Sequence, residues 1–334
     1  MFRQIGEAAF SGQARFVLPR PPFVYSGVPM ETKRSPVATG ACLHPATLMG
    51  TVALTVANLD RQIAFYRELL GFRLHWREGA RAGLGAGRED LLHLHELPGA
   101  RHAPHTTGLY HFAVLFPNRR ELARAVARLF SHEYVNHPTD HVITKTTYLK
   151  DPEGQEIELY AESPEDGDMG IAQGLPFARR RDGRPSDGRD PLDLDSLFKE
   201  LGPGDSLGQE LPPEARIGHV HLYVRNVAEA IRFYTGVVGF GDMGFAPAFQ
   251  MGMVSAGGYH HHIGLNAWMG EGAPPAPPGS LGMRHFTVLL HDHGELDRVN
   301  ARLRAAEVPL EQAENGWIAR DPSENSLLLI APPG

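Results

Sequence analysis

Short runs of alternating or apolar residues recur along the chain, each with the same sequel. Met49–Phe72 and Ile217–Phe240 align without gaps, so that Gly50 falls on Gly218, Phe65-Tyr66 on Phe233-Tyr234 and Gly71-Phe72 on Gly239-Phe240. Each copy opens with a run of strand character, passes through an asparagine into a stretch with apolar residues at helical spacing, and reaches Gly-Phe before a further strand. Gly108–Leu129 aligns in the same way with Gly282–Leu303, and these copies later reach Asp151-Pro152 and Asp321-Pro322. Self-similarity of this kind marks repeated structural units. The pattern predicts four βαβββ-like units and an α+β fold.

Between the second and third units the pattern lapses. Residues 163–214 are rich in Gly, Pro, Asp and Arg, a linker composition with one short helix expected at Leu192–Leu201, and the segment should wrap the surface. The organisation read from the chain is an N-terminal extension at 1–46, units one and two at 47–162, the linker at 163–214, and units three and four at 215–332. Met30 stands shortly before the first patterned segment, so residues 1–29 are set aside as a tail or as an artefact of the assigned start.

Composition narrows the function. With 334 residues, 42% hydrophobic and 21% charged, the chain has enough material for a sizeable core and is neither disordered nor fibrous in character. A net charge of −7 supplies no basic field for nucleic acid. The one cysteine, Cys42, rules out an internal disulfide, fits a reducing cytoplasm, and excludes thiolate clusters within one chain. No signal peptide or membrane span is visible. Oligomeric state is left open, a homo-oligomer being compatible with this composition.

Four such units with these motifs resemble the vicinal oxygen chelate superfamily of glyoxalases, extradiol dioxygenases and antibiotic-sequestering proteins, over roughly residues 47–332. The resemblance implies units paired into two cupped mixed sheets, with a metal in the cup on ligands from the first and last strands of the units. The first-strand positions hold Thr51, His111, His219 and His285, and the last strands of units two and four hold Glu158 and Leu328. Under sequential pairing neither half offers two histidines and a carboxylate at these positions. If the two middle units pair, His111, Glu158 and His219 converge as the two-histidine, one-carboxylate set that suits non-haem iron(II), with manganese(II) accepted by the same ligands. Two other arrangements stay open. His95 or Glu96 could complete a glyoxalase-like site with His111 and Glu158, and one of His260–His262 could join His219 and His285. A lone histidine at the start of a buried strand is more often a satisfied core residue than a ligand; the equivalent placement of three donors favours ligation.

The resemblance also implies the remaining chemistry. Gly257–Trp268 is similar to the His-His strand of extradiol dioxygenases, which makes His261 the acid–base candidate, with His260 or His262 in its place if the strand phase is reversed. Tyr148, ten positions before Glu158, corresponds to a substrate-binding tyrosine. His141 corresponds to a histidine that stabilises anionic intermediates, with His137 as its rival. The expected function is extradiol cleavage of a catechol-type or hydroquinone-type ring with O2. The alternatives are a glyoxalase-like metal-dependent lyase or isomerase, and a metal-free small-molecule binding protein.

Overall fold

The structure, a computed structural model, describes residues 42–332. The tail expected at 1–29 lies outside the described residues. Unit one comprises β1 (Leu48–Val56), α1 (Leu59–Ala64), β2 (Arg73–Glu78), β3 (Arg81–Ala86) and β4 (Glu89–Glu96). Unit two comprises β5 (Gly108–Phe116), α2 (Arg119–Ser131), β6 (His137–Asp140), β7 (Thr144–Lys150) and β8 (Glu156–Glu162). The linker carries β9 (Gly167–Ala172), β10 (Leu175–Arg180), β11 (Pro185–Ser186), β12 (Asp190–Pro191) and α3 (Leu194–Phe198). Unit three follows with β13 (Arg216–Tyr223), α4 (Val227–Arg232), β14 (Gly241–Ala246), β15 (Met251–Ser255) and β16 (Ile263–Asn266). Unit four closes the chain with β17 (Gly282–Leu289), α5 (His293–Ala305), β18 (Glu311–Ala313), β19 (Gly316–Arg320) and β20 (Ser326–Ile330).

The repeated residues have repeated jobs. Asn58, Asn118 and Asn226 cap their helices through side-chain oxygens that accept from the N–H three residues on, and Asp292 does the same for α5. Both α1 and α4 run on into a π-helical turn, Phe65–Leu69 and Phe233–Val238. The chain then leaves through Gly71 (φ 81°) and Gly239 (φ 107°), left-handed positions where a side chain would be strained. Phe72 and Phe240 follow into the core.

Strands join units that are not neighbours in sequence. β5 pairs antiparallel with β13, so units two and three share a nine-stranded sheet of order β12-β6-β7-β8-β5-β13-β16-β15-β14. β1 pairs antiparallel with β17, so units one and four share an eight-stranded sheet of order β18-β19-β20-β17-β1-β4-β3-β2. In β13, Val220 and Leu222 enter the main hydrophobic core while His219, His221 and Tyr223 occupy the other face, as period-two alternation requires. One continuous core runs from Val52 and Leu54 through Phe112 and Val114 to Phe286 and Leu327.

The linker is more ordered than its composition suggests. β9, β10 and β11 form a separate three-stranded sheet, β12 adds to the edge of the nine-stranded sheet beside β6, and the helix is shorter than expected. Ion pairs fasten it: Arg119 reaches Asp166 at 2.6 Å, and Arg180 reaches Asp140 at 3.1 Å and Asp190 at 2.6 Å.

The two Phe-Tyr and two Asp-Pro motifs meet. Tyr66 of unit one donates to Asp151 of unit two at 3.2 Å, and Tyr234 of unit three donates to Asp321 of unit four at 3.1 Å. Each aspartate also accepts two backbone N–H groups of its own turn, from Glu153 and Gln155 or from Ser323 and Asn325. The bonds tie together units that lie in different sheets. Burial pushes Asp321 up to about 6 and raises Asp151 too, so each donor offsets a real desolvation cost. Replacing Tyr66 or Tyr234 by Phe should therefore lower unfolding free energy by about 1–3 kcal/mol in urea titration. Tyr134→Phe, which removes an exposed bond to the Lys150 carbonyl, should cost less than either.

Candidate metal centre

The pairing of β5 with β13 sets the site. In register, Ala113 of β5 lies between Glu158 of β8 and His219 of β13, and its small side chain leaves the space that those two side chains cross. His111 stands two residues earlier on the same strand. The three side chains are buried, at 4%, 3% and 2% exposure for His111, Glu158 and His219. Glu158 Oε2 lies 3.2 Å from His111 Nε2 and 3.0 Å from His219 Nε2, and the two imidazole nitrogens are 3.3 Å apart. The other carboxylate oxygen accepts from Thr146 Oγ1 at 2.9 Å, which turns Oε2 toward the histidines.

These atoms fit a cation. Three donors converge on one buried point, both histidines turning Nε2 toward the carboxylate. Bonds of about 2.1–2.2 Å at right angles place ligand atoms about 3.0–3.1 Å apart, close to the separations seen. Burial would push the Glu158 carboxyl up, yet the His219 charge and hydrogen bonds from His111 and His219 hold it well below the usual carboxylate range. The carboxylate is thus ionised. His219 is lowered by burial, against the pull of Glu158, so it yields its proton to an incoming cation more readily than an ordinary imidazole.

Around this centre the sheet face carries further polar groups. Tyr148 stands directly opposite Glu158 across the β7–β8 hairpin, so the spacing of ten keeps them in phase. Its hydroxyl meets His141 Nε2 at 2.9 Å, and His141 Nδ1 donates to the Gly188 carbonyl of the linker. Burial raises the Tyr148 hydroxyl well above its ordinary range and lowers His141, which leaves a neutral phenol and a neutral imidazole. His137 is exposed and lies on the adjoining strand.

The histidine run differs from the expected alternation because Gly257–His262 is a loop, and β16 starts only at Ile263. His260 and His261 therefore both turn to His219; the His261 ring centroid is 4.2 Å from that of His219, and its Nδ1 is buried without a partner. Burial and the neighbouring imidazoles hold His261 well below the usual histidine range. His262 turns away, its Nδ1 accepting from the Ala256 N–H at 3.2 Å.

The two other ligand arrangements place their residues in different sheets. His95 and Glu96 end β4 of the eight-stranded sheet, where Glu96 accepts from the Leu59 N–H at 2.9 Å. His285 lies on β17 of the same sheet, opposite Ala53, apart from His219 on the nine-stranded sheet.

Sequence reasoning missed an aromatic wall. His221, Tyr223, Tyr110 and Trp268 make edge or tilted contacts with ring centroids 5.1–5.7 Å apart. His221 sits over Gly264, where a Cβ would lie 2.8 Å from the ring. Alternation from His219 could have placed His221 and Tyr223 on the cup face. Tyr110 could not be placed in this way, because the β5–β13 register shifts between His221 and Leu222.

Known proteins agree with this architecture. The model of the family described as Glyoxalase/Bleomycin resistance protein/Dioxygenase superfamily matches residues 48–159 and 216–327. A Catechol-2,3-dioxygenase of Bacillus subtilis (strain 168) is 39% identical over 283 residues, covering 84% of this chain and 95% of that one. Among solved structures, a Bacillus subtilis protein superimposes with a TM-score of 0.57 at 13% identity, over 88% of this chain and 87% of the other. Glyoxalase I from Zea mays gives 0.51 at 17% identity, over 86% and 92%. These two structures share the fold.

The buried His262 gives a pH test of the site's walls. Burial, with the charges of His219 and Arg216, brings it down to about 4, and a protonated Nδ1 could no longer accept the Ala256 N–H. Its folded pKa is below the unfolded value, so the unfolded chain binds more protons between about 6.5 and 4. Stability should fall by up to about 3 kcal/mol as pH drops through that window, and His262→Gln should flatten this part of the urea stability–pH curve.

Proposed function

The chain belongs to the Glyoxalase/Bleomycin resistance protein/Dioxygenase superfamily, and from that premise we propose that it is an extradiol-type dioxygenase that opens a catechol-type ring with O2. The observation that carries the reading is the convergence of His111, Glu158 and His219 at one buried point, walled by neutral imidazoles and a neutral phenol. Iron(II), or manganese(II) on the same ligands, would supply Lewis acidity toward the diol and a path for electrons from the ring to O2.

The protein's own residues do the rest. His261, neutral and unpartnered at Nδ1, accepts a hydroxyl proton as the diol binds and returns it when the ring opens. Tyr148 donates its O–H to Nε2 of His141, whose Nδ1 is anchored on Gly188, and so presents its oxygen to accept from a diol hydroxyl. Tyr110, Tyr223 and Trp268 present ring faces and edges to an aromatic substrate. The C–C bond beside the diol breaks, and both atoms of O2 enter the product. The single cysteine, Cys42, supports a reducing cytoplasmic setting for the enzyme.

Protein loaded anaerobically with iron(II), then mixed with catechol and air, should consume O2 and yield a yellow ring-opened product. His261→Gln should lower kcat by at least about a hundredfold with metal content unchanged. No oxygen uptake with any catechol or hydroquinone would turn the assignment to a metal-dependent lyase.

A further inference from the structure

His219 also belongs to a second group of donors. Ring nitrogens of His219, His260 and His261, one from each, lie within 4.8 Å of one another, the same bound that holds for the donors of His111, Glu158 and His219. The His261 ring centroid is 4.2 Å from that of His219 and 4.6 Å from that of His260, and the His219 and His260 rings are 5.9 Å apart. His219 and His261 each keep a buried Nδ1 with no hydrogen-bond partner among the described residues.

The loop that supplies His260 and His261 is held in place. At its ends the Tyr259 N–H donates to the Ala256 carbonyl at 3.4 Å, the His262 N–H donates to the Val254 carbonyl at 3.0 Å, and the His262 carbonyl accepts from the Val220 N–H at 3.1 Å. Between them the Tyr259 hydroxyl donates to Glu162 Oε1 at 2.6 Å and meets the Tyr160 hydroxyl at 2.5 Å. Glu162 Oε1 in turn lies 3.5 Å from His260 Nδ1. A carboxylate beside Nδ1 draws the ring proton there and leaves the Nε2 lone pair to a metal, the arrangement that orients histidines around bound zinc.

The two groups differ in donor type. Three imidazoles without a carboxylate suit zinc(II), whereas two histidines and a carboxylate suit iron(II). Around tetrahedral zinc the nitrogens stand about 3.3 Å apart, so the three rings need to close by no more than about 1.5 Å. We propose that His219, His260 and His261 form a zinc(II) site that overlaps the iron site at His219, with Glu162 positioning His260. Zinc there engages the shared His219 and takes up His261, the acid–base residue, so ring cleavage stops while it is bound. The switching rests on the ring-cleaving reading; the zinc site does not.

The test uses zinc(II) alone as the probe, in a chain whose iron site is disabled. Glu158→Gln removes the carboxylate, with His111→Ala as a second background should the first not fold by circular dichroism. Loaded with zinc and freed of excess, either background should retain about one zinc per chain by plasma mass spectrometry. Adding His260→Ala or His261→Ala should empty the site, and adding Glu162→Gln should weaken zinc binding about tenfold or more in chelator competition. Zinc retained equally without His260 or His261, or a folded background that holds no zinc, would overturn the proposal. In the iron-loaded wild type, zinc should suppress O2 uptake with catechol, and Glu162→Gln should need about tenfold more zinc for the same loss. Undiminished O2 uptake at zinc concentrations that fill the site would overturn the switch. If zinc binds as stated but the iron-loaded protein consumes no O2 with any catechol, the ring-cleaving reading fails and the zinc site stands.

Discussion

The antiparallel pairing of β5 with β13 is the constraint from which the site follows. It sets Ala113 between Glu158 and His219, and it brings a carboxylate from one unit to imidazoles from two. A one-residue slip would turn His219 into the core and Val220 into the cup, exchanging a candidate ligand for a hydrocarbon. The core resists that slip, because Val220, Leu222, Phe112 and Val114 are all fully or almost fully buried on the opposite face. Gly218 adds a second lock. The Tyr160 hydroxyl lies where its Cβ would be, so no other residue fits there without displacing Tyr160.

The two sheets are built to one plan with different chemistry. In the eight-stranded sheet the positions equivalent to His219 and Glu158 hold Thr51 and Leu328, and of the three candidate ligand positions only His285 keeps a histidine. That face instead carries Asp90, which accepts from Trp76 at 2.7 Å and meets His75 at 2.6 Å and His93 at 3.0 Å. These bonds outweigh the effect of burial and bring its carboxyl down to about 2. The aspartate is satisfied by its neighbours, while Glu158 in the sister sheet faces two imidazole Nε2 atoms that a cation could share with it.

Much of this was legible in the sequence because repetition carries positional information. Once Gly50 fell on Gly218 and the Asp-Pro turns fell on each other, strand ends in different units could be compared directly, and His111, Glu158 and His219 stood out by type. The pairing of Tyr66 with Asp151 was hidden, since it joins units one and two across sheets that neither residue's local pattern reveals. The orientation of His260–His262 was misjudged for a different reason. Two glycines with positive φ, Gly257 and Gly258, turn the chain before the strand begins, so alternation does not apply.

The central claim is that one metal is held between units two and three rather than within either half of the chain. Metal content of protein loaded anaerobically with iron(II) and freed of excess, measured by plasma mass spectrometry, tests it most directly. The account predicts about one iron per chain in the wild type and in His285→Ala, with little left in His111→Ala, Glu158→Gln or His219→Ala, all judged folded by circular dichroism. Loss of iron in His285→Ala with full retention in His219→Ala would contradict it.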